Sequence, residues 1–333
     1  MFLLISDRLT GGSRVVSRLD SSDRVAVTPS ATMTLGSHTA TVLSVAAGVT
    51  SPLVASGSYD NTVKLWNRNS RGDVRSLAHQ GRVNDLVFTS DTQRLITGSG
   101  SGNVSLWDVP SGDLITTLAG NAGRITSVTL SLDDTVMAAG SGDGAIKTWI
   151  LEQGNQLASP NTLEAIGPRV NALTFHPIDP NLLFSGDQEG AVRVWDLAEQ
   201  ANILTLEDSI DRVVSLSVNN DGYVAAGSYD ATIRIWNSED GQLANLLKGH
   251  NFVVSDVAFS PDGMLLASAS YDETIKIWDW RRSEVLCTLN GHSGFVYSVA
   301  FSDAGNTLVS GGYDGTVRTW DLAEIADGEC LSY

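Results

Sequence analysis

A tryptophan that returns at nearly constant spacing restricts this chain more than any other feature. Trp66, Trp107, Trp149, Trp195, Trp236, Trp278 and Trp320 are separated by 41, 42, 46, 41, 42 and 42 residues. Each closes a short alternating run: TVKLW, NVSLW, AIKTW, AVRVW, TIRIW, TIKIW and TVRTW. A period of this length marks a supersecondary unit that is repeated and stacked. The clearest copy is Gly249–Asp279, GHNFVVSDVAFSPDGMLLASASYDETIKIWD. Its apolar positions Val254, Val257 and Phe259 precede a Pro-Asp-Gly turn; a second short strand over 265–269, a tight turn at Tyr271-Asp272 and the strand TIKIW follow. Each Trp is followed by a further run such as DVRSLA, DLITTLA, NILTLE, QLANLLK or EVLCTLN. Runs of this length, bounded by turn residues, read as strands. So few strands cannot cover both of their faces, so each unit must bury itself against the next.

The period and the GH…WD pattern resemble the WD-repeat (tryptophan–aspartate repeat) family over residues 31–326. The resemblance implies an all-β fold, a seven-bladed β-propeller forming one domain over 31–326, between a poorly ordered leader (1–30) and a tail (327–333). It says little about function, because one scaffold hosts many roles. The run ATMTLGSHTATVLSV parallels LCTLNGHSGFVYSV ahead of the last repeat, so residues 31–35 read as an outer strand. They precede the first inner strand, and the last repeat has only three strands of its own. They are therefore expected to complete the seventh blade and close the ring, which removes open sheet edges. In the leader, RVAVT at 24–28 is an alternative short strand against the propeller. The long step has two sources, LEQGNQLASPN after Trp149 and HPIDPN at 176–181, both loop insertions that leave a strand ladder intact.

In this family a His, a Ser or Thr, an Asp and the Trp form a buried hydrogen-bonded tetrad. The resemblance carries it over fully in three repeats: His38, Ser56, Asp60 and Trp66; His250, Ser268, Asp272 and Trp278; His292, Ser310, Asp314 and Trp320. Elsewhere it is degraded. Ser101 replaces the Asp beside His79, Thr97 and Trp107, and Asn121 and Ala139 accompany Asp143 and Trp149. Ile166 and Glu189 accompany Ser185 and Trp195, and Ser209 and Ala226 accompany Asp230 and Trp236. Four of the five histidines are thereby used, leaving His176 in a loop. The Ser-His-Asp sets read as structure, not as catalytic triads, and no HExxH, CxxC, GxxxxGK or calcium-loop motif appears. The glycines of GSG and GSGDG read as turn residues that need positive φ, not as a nucleotide loop. No catalytic residue, metal or cofactor is expected.

The net charge of −17 has the wrong sign for nucleic acid or an anionic membrane. Cys287 and Cys330 offer no disulfide framework and read as free thiols. The apolar start MFLLIS is too short for a signal-peptide core and no run reaches membrane-span length, so a cytoplasmic location is expected.

Two rows of residues remain for binding. The residue opening each first strand is Thr41, Arg82, Arg124, Arg169, Arg212, Val253 and Phe295, with arginine in four consecutive repeats. The residue before each tight-turn acid is Tyr59, Gly100, Gly142, Gln188, Tyr229, Tyr271 and Tyr313. In the family both rows lie on the usual docking face, and Tyr and Arg are enriched at binding hot spots. The arginines either meet a ligand, with Phe295, Tyr297 and the tyrosines across the ring, or pair with Asp187, Glu189 or Asp211. A weaker candidate is Trp280-Arg281-Arg282 on the opposite face. The expected function is a non-catalytic scaffold for another protein, probed by an acidic or phosphorylated segment, acting as a monomer or within a hetero-complex. The alternatives are a propeller hydrolase or lyase with channel carboxylates, and a binder of a small anion.

Overall fold

The computed structural model describes residues 33–48, 51–70, 73–119, 123–151, 159–163, 167, 169–206, 211–302 and 305–323. They form seven four-stranded antiparallel sheets arranged as the blades of a propeller. Blade 1 is built from Val42–Ala47, Leu53–Ser58, Thr62–Asn67 and Asp73–Ala78, innermost strand first. Blades 2 to 6 repeat this order of consecutive hairpins. Blade 7 uses Val296–Ser302, Thr307–Gly312 and Thr316–Asp321, and its outer strand is Met33–Ser37. That strand pairs Met33 with Thr319, Thr34 with Arg318, Gly36 with Val317 and Ser37 with Thr316. Leu35 points into the core at 2% exposure. The ring is closed as expected, with Met33–Ser37 as the closing strand among the described residues. Ala31, the rest of the leader, the tail, Asn121, Ile166, Ser209 and Cys330 lie outside the described residues.

Two local devices shape every blade. The first is a β-bulge in the innermost strand, where the register shifts at Val42/Ser44, Val83/Asp85, Ile125/Ser127, Val170/Ala172, Val213/Ser215, Val254/Asp256 and Val296/Ser298. A bulge leaves one residue unpaired and re-aims side chains around it. The second is close packing between blades. A Cβ added to Gly57, Gly98, Gly140, Gly186, Gly227 or Gly311 would come within 3.0 Å of Val83, Ile125, Val170, Val213, Val254 or Val42 of the next blade. These glycines lie inside second strands, which corrects the turn reading for Gly98 of GSG and Gly140 of GSGDG, while it holds for Gly144: the strand glycines are absent side chains, where the next blade's branched residue sits. Positive φ falls elsewhere, one residue beyond the tight-turn acid position, at Asn61, Gly102, Gly144, Gly190, Ala231, Glu273 and Gly315.

Further expectations are corrected. Trp280 is 2% exposed, donates to the Gly263 carbonyl at 3.0 Å and packs on Tyr223 and Phe259, so it belongs to the core. Arg281 covers its ring and pairs with Asp221 at 2.8 Å. Cys287, buried on the outer strand of blade 6, is disulfide-bonded and not a free thiol. Most of the first elongated loop, 152–158, lies outside the described residues. The outer strand of blade 3 is only Asn161–Leu163. In the other loop His176 Nδ1 accepts the Ile178 and Asp179 amides at 3.2 and 3.1 Å, which accounts for the fifth histidine as a loop cap.

Candidate binding site at the channel mouth

Seven equivalent backbone bonds build the mouth. The carbonyls of Thr41, Arg82, Arg124, Arg169, Arg212, Val253 and Phe295 accept the amides of Tyr59, Gly100, Gly142, Gln188, Tyr229, Tyr271 and Tyr313, at 2.8 to 3.1 Å. Each pair ties the start of an innermost strand to the residue before the tight turn, so the two rows found in the sequence stand side by side in every blade. Their chemistry divides the rim. Blades 2 and 3 pair arginine with glycine, and the side-chain stems of Arg82 and Arg124 occupy the space a Cβ at Gly100 and Gly142 would need. Arg82 extends across to blade 1, donating to the Tyr59 hydroxyl at 3.0 Å with its guanidinium 5.0 Å from the ring centre. Arg212 lies 4.7 Å over Tyr229. Such placement over an aromatic face is attractive through the ring quadrupole and holds the cation in position.

Arg82, Arg124, Arg169 and Arg212 all line one cavity of about 350 Å³ with Tyr59, Tyr229, Tyr271 and Tyr297. Among the described residues no carboxylate lies within 4.0 Å of any of the four guanidinium groups. Asp187, one of the expected partners, pairs with Arg193 instead. Burial, and then Arg124, Arg212 and Arg82, pull Arg169 down to about 10. The Nε atoms of Arg169 and Arg212 are buried without a hydrogen-bond partner. Phe295 and Tyr313 do not line the cavity. They stand beside it, 41% and 61% exposed, in an aromatic ledge: Phe295 stacks on Tyr271 at 4.6 Å and meets Tyr313 at 6.1 Å, and Tyr297 lies 5.3 Å from Tyr271. The mouth thus has a cationic arc over blades 2 to 5 and an aromatic arc over blades 5 to 7 and 1.

Below the mouth the bulge turns Leu43, Asn84, Thr126, Asn171, Val214, Ser255 and Tyr297 into the channel. Four of these stitch blades together. Asn84, Thr126, Asn171 and Ser255 donate to the carbonyls of Ile125, Val170, Val213 and Val296 in the next blade. One residue further on comes a second ring: Ser44, Asp85, Ser127, Ala172, Ser215, Asp256 and Ser298. Asp85 accepts Ser44 Oγ at 2.9 Å, Ser127 Oγ at 3.1 Å, and the amides of Leu86 at 2.9 Å and Val128 at 2.8 Å, joining blades 1, 2 and 3. Asp256 accepts Ser215 Oγ at 2.6 Å and the amides of Val257 and Val299, each at 2.9 Å, joining blades 5, 6 and 7. Burial raises Asp85 above the usual carboxylate range and pushes Asp256 up to about 6. Sequence reading found only Tyr297 of the first ring and nothing of the second. Their signal was two aspartates at the same offset from the first-strand residue, visible only once the bulge register is known.

The tetrad geometry lies behind this wall. His38, His250 and His292 place Nδ1 at 3.0, 2.8 and 3.0 Å from Asp60, Asp272 and Asp314. Their Nε2 atoms lie 2.7 Å from Ser56, Ser268 and Ser310. Those hydroxyls accept Trp66, Trp278 and Trp320 Nε1 at 2.8, 2.8 and 2.9 Å. Burial opposes ionisation of Asp60, but Thr62, the Thr39 amide and His38 together bring it down to about 2. Blade 5 replaces the histidine: Asp230 pairs with buried Arg234 at 2.9 Å. In blade 4 the carboxylate has moved two residues earlier, where buried Asp187 accepts the amides of Glu189 and Ala191 at 2.9 and 3.0 Å and pairs with Arg193.

Comparison with known proteins agrees with this architecture. The family model described as WD domain, G-beta repeat matches seven times, at residues 29–67, 72–108, 112–149, 160–196, 201–237, 241–279 and 283–321. Mitochondrial division protein 1 of Saccharomyces cerevisiae is 30% identical over 229 residues, covering 61% of this chain and 28% of that protein. A guanine nucleotide-binding protein subunit beta of Oryza sativa is 30% identical over 207 residues, covering 60% and 44%. The target of rapamycin complex subunit LST8 of Mus musculus is 28% identical over 226 residues, covering 65% and 69%. The matches thus span less than half the length of the first two relatives.

Proposed function

This chain belongs to the WD-repeat family, and from that premise we propose that it is a non-catalytic adaptor whose channel mouth holds an acidic or phosphorylated segment of another protein. The observation that carries the reading is the convergence of Arg82, Arg124, Arg169 and Arg212 on one cavity with, among the described residues, no carboxylate within 4.0 Å of their guanidinium groups. Four planar guanidinium groups suit carboxylate or phosphate oxygens. They create a local positive potential inside a protein of net charge −17. The ledge of Tyr271, Phe295, Tyr297 and Tyr313 supplies apolar anchorage for the same segment. Two relatives are named as subunits, of a guanine nucleotide-binding protein and of the target of rapamycin complex, which fits a part that works within an assembly.

The channel carboxylates do not favour an enzyme. Asp85 and Asp256 spend their oxygens on serines and amides of neighbouring blades, which leaves little for a substrate. A small anion alone is a second reading, because any anion offsets both the burial and the mutual repulsion that lower Arg169. A cytoplasmic site of action belongs to the same proposal and meets one counter-observation, since a disulfide at Cys287 suits oxidising surroundings better. Among the described residues no helix is long and apolar enough to cross a membrane.

The test replaces all four arginines by serine and measures binding of acidic and phosphoserine-containing peptides by fluorescence anisotropy. Wild-type binding should weaken with salt as charge pairs are screened, and the variant should lose it while keeping its circular dichroism spectrum and Tm. A variant that loses several degrees of Tm with binding intact shows the arginines to be internal partners. Competition by inorganic phosphate with no peptide binding at all selects the small-anion reading.

A further inference from the structure

Blade 2 lacks the aspartate that completes the polar set behind the tryptophan in blades 1, 6 and 7. In those three blades the aspartate gathers four donors in common. Asp60 accepts His38 Nδ1, the Thr39 amide at 3.0 Å, the Thr62 amide at 3.0 Å and Thr62 Oγ1 at 2.6 Å. Asp272 takes the same four from His250, Asn251 and Thr274. Asp314 takes them from His292, Ser293 and Thr316.

Blade 2 keeps the frame but not the acceptor. His79 Nε2 lies 2.7 Å from Thr97 Oγ1, which accepts Trp107 Nε1 at 3.0 Å, as in the complete sets. Ser101 stands in the aspartate position, and its short hydroxyl turns to Ser99 Oγ at 2.7 Å. Among the described residues neither His79 Nδ1 nor the Gln80 amide has a hydrogen-bond partner. The residues His79 and Gln80 border a cavity of about 290 Å³, with Ser101, Asn103, Ser105 and Trp107 also in its wall. The hydroxyl of Thr97 can donate to Nε2, which leaves the imidazole proton on Nδ1, facing that space. Asn103 occupies the position of Thr62 and adds amide donors where the threonine hydroxyl stood.

We infer that blade 2 carries a socket for a carboxylate supplied from outside the chain, bound by His79 Nδ1 and the Gln80 amide in the way the aspartates of blades 1, 6 and 7 are bound. The ligand completes with its own carboxylate a set that those blades complete internally. Selection follows from shape and donor type: a planar carboxylate meets an imidazole N–H and a main-chain N–H. The socket is independent of the arginine arc and stands or falls without it.

Two probes distinguish the source of the carboxylate: sodium acetate, and the capped tripeptide acetyl-Gly-Asp-Gly-amide, each titrated against chloride at constant ionic strength. Histidine ring resonances are followed by 15N NMR in the variant with all four mouth arginines changed to serine, so that the arc does not take up the anion. If that variant does not fold, the wild type serves, because the readout is specific to one ring. The His79 signal should move saturably toward the positions of His38, His250 and His292, which already have their carboxylates and should stay still. Ser101→Asp should place His79 there without ligand and abolish the response. Tighter binding of the tripeptide assigns the socket to an aspartate or glutamate of a polypeptide, and equal binding assigns it to a free carboxylate. A motionless His79 signal, four histidines shifting together, or an undiminished response in Ser101→Asp overturns the inference.

Discussion

At the scale of single residues, the same residue type does opposite work depending on where it falls in the blade. Gly98 and Gly102 are four positions apart, yet Gly98 is a missing side chain beneath Ile125, whereas Gly102 is a backbone needing φ of 88°. Gly98→Ala should therefore cost about 1–3 kcal/mol through overpacking. Gly102→Ala should cost nearer 1 kcal/mol, because Asn61, Ala231 and Glu273 already adopt positive φ at that position in other blades. Urea denaturation of the two variants checks the order, and equal losses would count against the packing role. The aspartates divide similarly. Asp60 is held at about 2, so its contribution is present above the ordinary carboxylate pKa and is lost as pH falls toward 2. Asp256 is raised to about 6, so its protonated form is favoured in the fold. That contribution is complete below the ordinary carboxylate pKa and is lost as pH rises through about 6. Asp256→Asn should remove this pH-dependent part, about 3 kcal/mol, on top of a constant loss of hydrogen bonds. The stability gap between wild type and variant should be widest near pH 4 and narrow toward pH 7. A gap that does not change with pH would show that Asp256 titrates normally.

At the scale of strands and blades, legibility followed the recurrence. The strand-ending tryptophans and the three full tetrads could be read because each copy corroborates the next. The arginine row was legible for the same reason, since one position repeats in four consecutive blades. What escaped depended on register or on shifted positions. The bulge in each innermost strand decides that Asn84 and Thr126 face the channel, and no alternation pattern reveals an inserted residue. In blade 4 the carboxylate moved to Asp187, two places from where the pattern directs attention. Glu189 was weighed in its stead, and Arg193 was missed as its partner. The complete sets in blades 1, 6 and 7, and the three-residue outer strand of blade 3, predict unequal protection around the ring. Amide hydrogen exchange should be slowest in blades 1, 6 and 7 and fastest in blades 3 to 5; uniform exchange would refute that ranking. Removing residues 1–36 takes away most of Met33–Ser37 and bares the edge of Thr316–Asp321, so aggregation and a lower Tm are expected. Removing residues 1–28 leaves the pairing strand intact and should change neither. Identical melting of the two truncations would mean that closure contributes nothing.

At the scale of the whole molecule, the ring is closed by the two ends of the chain: Thr319 Oγ1 donates to the Met33 carbonyl across 286 residues of sequence. Contacts between adjacent blades, such as Ser44 with Asp85, span 41. Closing the longer loop costs about 1.7 kcal/mol more in chain entropy, a little under three doublings of length. That difference is small beside the apolar surface covered, but it arrives late. During synthesis six blades can form from strands that emerge one after another, while Met33–Ser37 is made first and finds its partner only once Thr316–Asp321 has appeared. The strand with the longest wait is also the one that completes the sheet. Through that interval the closing strand is unpaired, and were two such chains to exchange it, a swapped dimer would need only native pairings. The seam that makes the finished ring continuous is thus also the place where its assembly depends on timing.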